Sequence, residues 1–264
     1  MSKKKILLIC RDSILGDPRV ERMYHYLKTK NISLDTMSSK NEKIRNHKKI
    51  IFKNKNSLSN LLKKNFMIFF LNIIKIKMNN LKIFCSSEIN AIKSINLKKY
   101  DYIYIFDLKV LYAVSFFINK KKIIWDAREY YPLHYTQIFL WSFFYKGIIE
   151  KLIMLSKDKI LIGTTVSYGL RKKYYENFKM KLKVKFSVPK FAKLKPRSVS
   201  KKILIIHHGI CSRTRKIENF FELGKKLGIK YNLFLMLKIV NKQYYYFLKK
   251  KYSSVKNVQF IPPV

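Results

Sequence analysis

Lys5-Ile-Leu-Leu-Ile-Cys10-Arg-Asp-Ser-Ile-Leu-Gly16-Asp-Pro-Arg-Val20 is the stretch on which the fold turns. An uninterrupted apolar run of strand length stops at Arg11, and a polar turn with one glycine follows. Asp17 then stands in an N-cap position, with Pro18 in the first helical turn, where its missing N–H costs nothing. A strand buried on both faces reads as a continuous hydrophobic run, so this segment opens a βαβ unit of a parallel sheet. The run is also too short, before Arg11 and Asp12, to be the apolar part of a signal peptide.

The same alternation continues outward. Strands are expected at Lys5–Cys10, Ser33–Met37, Lys49–Phe52, Asp101–Phe106, Lys122–Asp126, Lys159–Thr164, Lys202–His207, Asn232–Leu237 and Val258–Ile261. Helical periodicity fills the intervals at Arg19–Lys30, Ser57–Lys77, Glu88–Ile95, Leu108–Ile118, Thr136–Ser156, Ser167–Asn177, Lys216–Leu227 and Lys242–Tyr252. The class is therefore α/β. Residues 189–200 carry two prolines, several lysines and no periodicity, and read as a linker. They divide a doubly wound Rossmann-like domain, residues 1–188 with six strands, from residues 201–264. The latter hold three strands and two helices, the first half of a second such domain, which is expected to be incomplete.

Of 264 residues, 57 are Lys or Arg and 15 are Asp or Glu, a formal charge of +42. Hydrophobic residues make up 48% and aromatics 15%, enough for a sizeable core, which excludes a disordered basic tail. Only nine of the basic residues are arginine. Nucleic-acid readers lean on bidentate arginine, so the lysine-dominated charge points away from nucleic acid and toward an anionic membrane surface. Phe66–Ile76 (FMIFFLNIIKI), flanked by Lys63, Lys64 and Lys77, is too short to span a bilayer and reads either as a core-facing helix or as one lying in the interface. Cys10, Cys85 and Cys211 are odd in number and far apart, which suggests neither a disulfide framework nor a zinc site and fits a reducing compartment.

Three places gather residues capable of chemistry. In the first loop, Arg11, Asp12 and Gly16 lie at the carboxyl end of a strand, where ligands of open α/β sheets bind. Trp125-Asp-Ala-Arg-Glu-Tyr-Tyr-Pro132 places Asp126, Arg128 and Glu129 together after another strand, in a chain with few acids to spare. Such groups either hold the loop or orient a sugar or phosphate by bidentate hydrogen bonds. In Ile206-His-His-Gly-Ile-Cys-Ser-Arg-Thr-Arg-Lys-Ile-Glu218, Gly209 allows close backbone approach, and Arg213 and Arg215 put positive charge near a helix N-terminus, an arrangement suited to a diphosphate.

In order, Asp17-Pro-Arg-Val20 with Glu21-Arg22, Trp125-Asp-Ala-Arg-Glu129 with Pro132, Thr164-Thr-Val-Ser167, His208-Gly209 with Arg215-Lys-Ile-Glu218, and Phe260-Ile-Pro-Pro-Val264 resemble the GT-B glycosyltransferases of the family 4, group 1 type. The resemblance runs over essentially the whole chain. It implies two Rossmann-like domains facing a cleft, a nucleotide-sugar donor, and a glycan or lipid-linked acceptor of the cell envelope. It also implies no metal cofactor, and a cytoplasmic location at the inner face of the membrane. By it, Asp126, Arg128 and Glu129 are expected to be catalytic, Arg11, Asp12 and Gly16 to bind acceptor, and Gly209, Arg213 and Arg215 to bind the donor diphosphate. Arg128 stands where the family commonly has histidine. The family's later acidic pair would fall beyond Val264, so the chain is expected to be C-terminally truncated and weak in donor binding. A non-catalytic remnant, or a subunit whose partner chain supplies the missing donor half, is one alternative. A basic nucleic-acid-binding protein is another.

Overall fold

The computed structural model describes residues 3–52, 79–134, 139–188 and 203–262, with a few positions between 191 and 198. The chain divides into two units, Met1–Pro189 and Lys190–Val264. The expected helix at Ser57–Lys77 lies outside the described residues.

In the first unit, β1 (Lys4–Ile9) leads through the quoted loop into α1 (Pro18–Lys28), then β2 (Ile32–Ser38) and β3 (His47–Lys49). Two short helices, α2 (Asn79–Phe84) and α3 (Ser86–Lys93), precede β4 (Tyr102–Ile105) and α4 (Leu108–Phe117). After β5 (Ile123–Ala127) come α5 (Phe139–Ser156), β6 (Ile160–Thr165), α6 (Tyr168–Phe178) and the two-residue β7 (Lys183–Val184). All pairings are parallel, in the order β3-β2-β1-β4-β5-β6-β7. The order reverses between β1 and β4, which makes their carboxyl ends the switch point where a doubly wound sheet opens a crevice.

Period-two alternation explains the layers. Leu7 and Ile9, with Ile103, Ile105, Ile123 and Trp125, face a core completed by Ile92, Leu111 and Leu152 from α3, α4 and α5. Ile6 and Leu8, with Tyr104 and Phe106, face the other way onto Val20, Met23, Tyr24 and Leu27 of α1. Burying each such Leu or Ile side chain is worth about 1.5–3 kcal/mol.

The second unit runs β8 (Ile203–Cys211), α7 (Glu218–Leu227), β9 (Tyr231–Ile239), α8 (Lys242–Lys251) and β10 (Val258–Ile261), in the parallel order β10-β9-β8. Phe221 of α7 and Tyr244 and Leu248 of α8 pack on the same β9 residues, Leu233, Leu235 and Leu237. Both helices therefore cover one face, as right-handed crossovers require. Leu204, Ile206 and Ile210 are exposed on the other.

Several expectations change: β3 runs His47–Lys49 rather than Lys49–Phe52, and α2 (Asn79–Phe84) lies where no helix was expected. The first sheet has seven strands rather than six, because Lys181-Leu-Lys-Val-Lys-Phe186 alternates and a two-residue piece of it pairs with Thr164 and Thr165. The strand expected to end at His207 continues to Cys211 because its pairing with β9 does not stop there.

Candidate functional site

The loop after β1 is shaped by one carboxylate that belongs to another segment. Glu42 accepts from the Ser13 hydroxyl (2.8 Å), the Ile14 and Leu15 N–H groups (2.9 and 2.8 Å) and the Ser38 hydroxyl (2.6 Å). Burial pulls its carboxyl upward, but the hydrogen bonds from Ser38, Leu15, Ile14 and Ser13 outweigh that and hold it below the ordinary range. Gly16 donates its N–H to the Ser13 oxygen (2.9 Å), and a Cβ at Gly16 would meet that oxygen at 2.8 Å. A larger residue there would force the Ser13 side chain to shift.

Asp17 then serves two neighbours. One oxygen caps α1 through the N–H groups of Arg19 (3.0 Å) and Val20 (3.2 Å), and the other accepts from the Arg128 guanidinium. Arg128 also lies 3.9 Å from Asp107, which in turn accepts from the backbone N–H of Arg11 (2.8 Å). Burial works against the charge on Arg128, yet Asp17 and Asp107 more than offset it and raise its pKa. Burial raises Asp107 despite the Arg11 N–H and Arg128. Tyr131 closes this corner by donating to the Phe106 carbonyl (2.9 Å).

Beneath it, Arg19 makes a bidentate pair with Asp126 (2.6 and 2.8 Å), and Asp126 also accepts from the Thr164 hydroxyl (2.9 Å). Asp126 is 1% exposed. It was expected to face a ligand, and the correction is that its carboxylate is spent on Arg19 and Thr164, under the site rather than in its wall. Arg19 further donates to the Lys185 carbonyl (3.0 Å), and Arg22 to Ser187 (2.8 Å), tying the segment after β7 to α1. The backbone of Glu129 is fixed by Tyr174 of α6, which donates to its carbonyl (2.8 Å). The Glu129 side chain is exposed and lies 3.3 Å from His134.

These groups surround an open pocket of about 610 Å³ lined by Asp17, Pro18, Arg19, Arg22, Arg128, Glu129, Val166 and Ser187. All but Arg22, which sits in the second turn of α1, follow a strand or open a helix at the carboxyl edge of the sheet. Arg128 pairs with Asp17 and Arg19 with Asp126 below, while Arg22 donates to Ser187 and Glu129 lies beside His134. Charge is balanced there, and guanidinium edges and carboxylate oxygens offer donors and acceptors at once. Such a wall suits hydroxyl groups, while Pro18 and Val166 offer apolar surface to a sugar ring.

Of the expected site residues, Arg128 and Glu129 line the pocket. Arg11, Asp12 and Gly16 do not: the Arg11 guanidinium turns to buried Glu88 (3.4 Å), and the Asp12 carbonyl accepts from Ser39 (2.7 Å). In the second unit, Gly209 was expected in a turn but lies inside β8, paired with Leu237, where a Cβ would make ordinary contact with His207 Nε2 at 3.7 Å. The turn comes later, at Arg213–Arg215, where the Arg213 guanidinium lies 5.3 Å from the Tyr244 ring centre. The first turn of α7 there holds Glu218, which accepts from the Tyr244 hydroxyl. Among the described residues, no group of three or more His, Cys, Asp or Glu side chains is placed to hold a metal ion.

Arg19, Arg22, Asp107, Glu42 and Tyr174 were given no role from sequence. Scarcity of acid was the one available signal for Glu42 and Asp107; nothing marked Arg19 as the partner of a residue 107 positions away.

Neither a family model nor a curated protein matches the sequence. Solved structures do. Sucrose-phosphate synthase from Thermosynechococcus elongatus superposes with a TM-score of 0.62 at 13% identity, over 99% of this chain and 71% of that one. The lipopolysaccharide outer core galactosyltransferase WaaB gives 0.52 at 10% identity, over 98% and 68%. UDP-GlcNAc 2-epimerase from Neisseria meningitidis, bound to UDP-GlcNAc, gives 0.50 at 14%, over 98% and 72%. The fold is GT-B-like. At these identities the likeness is one of fold, and it joins a synthase, a galactosyltransferase and an epimerase by name.

Proposed function

We propose that the protein is a glycosyltransferase of the GT-B family 4 type that moves a sugar from a nucleotide-sugar donor to a hydroxyl of a cell-envelope glycan or lipid-linked acceptor, at the cytoplasmic face of the membrane. The observation that supports it most is the pocket at the carboxyl ends of the first sheet, whose Arg128–Asp17 pair and exposed Glu129 carboxylate offer donors and acceptors to the hydroxyls of an uncharged polyol. The order of sequence motifs and the fold point the same way.

In this reading the pocket takes the acceptor. The glycosyl C1–O bond to the diphosphate breaks, a new C1–O bond forms to the acceptor oxygen, and the acceptor proton leaves to a base. Glu129, the exposed carboxylate on the pocket wall, is assigned to contact the acceptor. Arg128 orients it by donating hydrogen bonds, and Asp126 acts as a positioning residue through Arg19. Arg213 and Arg215 contribute charge to the donor diphosphate, and no metal is required.

The test is incubation of the purified chain with a panel of nucleotide sugars, with and without membrane-derived glycan and lipid acceptors. Nucleoside diphosphate release and product mass are followed. Acceptor-dependent release that is lost in Glu129→Gln supports the reading. Acceptor-independent conversion of the donor sugar to its epimer, or no turnover with any pair, overturns it.

A further inference from the structure

The three guanidiniums of the pocket are not in the same state. Arg19 spends its fork on Asp126, at 2.6 and 2.8 Å, and is mostly buried. Arg128 is engaged by Asp17 and lies 3.9 Å from Asp107. Arg22 is exposed, and among the described residues no carboxylate stands within ion-pair distance of it. Its partner is neutral: Nη2 donates to the Ser187 hydroxyl oxygen at 2.8 Å.

A guanidinium carries five N–H donors in a rigid fork, and one of those on Arg22 serves Ser187, which leaves the others for a ligand. The Ser187 hydroxyl, while accepting from Arg22, keeps its own hydrogen to donate. Charge around the pocket sums to zero only because Glu129 offsets Arg22, yet these two are not paired with each other, since Glu129 lies 3.3 Å from His134. A ligand that satisfies the whole wall therefore needs two kinds of group. Hydroxyls meet Arg128, Asp17 and Glu129; an acid meets Arg22 and Ser187.

From this difference we propose that Arg22 and Ser187 form an acid-reading subsite, so that the acceptor is a sugar bearing a negatively charged substituent, a carboxylate or a phosphate, besides its hydroxyls. The proposal rests on the reading of the pocket as the acceptor site and narrows its substrate class. The polyol part of the acceptor stays uncharged where it meets Arg128 and Asp17, and the charge sits on a separate substituent. A carboxylate or phosphate accepts two parallel N–H bonds from one guanidinium. At Arg22 it has no counter-charge to displace, whereas at Arg19 or Arg128 it would have to break an existing ion pair.

The test is titration of the full chain with glucose, glucuronate, glucose 6-phosphate and UDP, followed by ligand-observed NMR in about 0.15 M salt, which screens distant surface lysines. The expected result is that glucuronate or glucose 6-phosphate binds at least about tenfold more tightly than glucose, as a charge-assisted contact allows. Arg22→Gln should remove that preference. Arg22→Lys keeps the charge without the fork and should restore part of it. Ser187→Ala should lower the preference about threefold and leaves α1 unaltered, so it decides the matter if the Arg22 variants fold poorly. Which acid binds more tightly tells carboxylate from phosphate. An acid preference that survives in Arg22→Gln, an equal loss of glucose and acid binding, or binding of none of the sugars overturns the proposal. Loss of UDP affinity alone in Arg22→Gln assigns the arginine to the donor and also overturns it. Acceptor-dependent release of nucleoside diphosphate in any of these cases leaves the glycosyltransferase reading standing.

Discussion

Removing the Glu42 carboxylate should loosen the loop that delivers Asp17 to the pocket. Four donors converge on it, and they are not equivalent. Leu15 is exposed, so water replaces its bond; Ser38 can turn to the Lys40 carbonyl, already 3.2 Å away. Ile14 and Ser13 are buried, and Glu42→Ala strands the Ile14 N–H and the Ser13 O–H. At about 1–3 kcal/mol for each stranded donor the loss is about 2–6 kcal/mol, a fall in melting temperature of roughly 8–16 °C at 4 kcal/mol for a unit of this size. Glu42→Gln keeps one carbonyl oxygen and should lose about 1–2 kcal/mol at neutral pH, mainly the charge assistance. The sign of the pH effect follows from the lowered carboxyl pKa. The stabilisation is fully present above the ordinary value of 4.5 and is lost as pH falls through the lowered folded value. Urea unfolding of wild type and Gln variant at neutral pH and below pH 4 reads this directly. An Ala variant within 1 kcal/mol of wild type, or a Gln gap that stays constant into the acid range, refutes the reasoning.

Asp126→Asn leaves Arg19 buried without its counter-charge and should cost about 3–5 kcal/mol in unfolding experiments, whereas Arg19→Met with Asp126→Leu should recover most of it. Glu129→Gln should keep wild-type stability within about 0.5 kcal/mol, since the side chain is exposed, while turnover falls about a hundredfold or more; a destabilised variant with normal turnover per folded molecule would make the residue structural. The Cys10 thiol, pushed up to about 12 by burial and by the Asp107 charge, should resist alkylation at pH 8 until the unit unfolds, and rapid labelling of folded protein would contradict its placement. Exhaustive treatment with a chelator should leave transfer unchanged, and activity restored only by added divalent metal would overturn the metal-free reading.

Continuous apolar runs made the parallel strands legible, and Asp17-Pro18 made the start of α1 legible to within a residue, because both signals are local. What could not be read is what depends on distant partners. Lys183–Val184 is a strand only because Thr164 and Thr165 are beside it. Gly209 suggested a turn by its residue type, yet β9 extends far enough to keep it in the ladder. Asp126, Arg128 and Glu129 are adjacent in sequence but differ in surroundings, since alternation sends Asp126 beneath the sheet edge to Arg19 while Glu129 reaches solvent. The cluster was visible; the division of labour within it was not.

The distribution of charge gives the remaining step. A chain with 42 more cations than anions has nonetheless placed three of its fifteen acids, Asp17, Asp126 and Glu129, around the three arginines of one pocket. Coulomb attraction between partly buried partners is far less screened than between surface groups, so the Arg19–Asp126 and Arg128–Asp17 pairs hold their geometry in salt that would silence the lysines. The pocket is therefore not the place where the net charge acts. An anionic ligand that approached Arg128 would have to displace Asp17, losing a charge-assisted bond to gain one, whereas Arg22 is held by the Ser187 hydroxyl. A hydroxyl-bearing ligand can bond to both partners without separating them. The net positive charge is carried instead by lysines spread over the rest of the chain, none of which, among the described residues, lines the pocket.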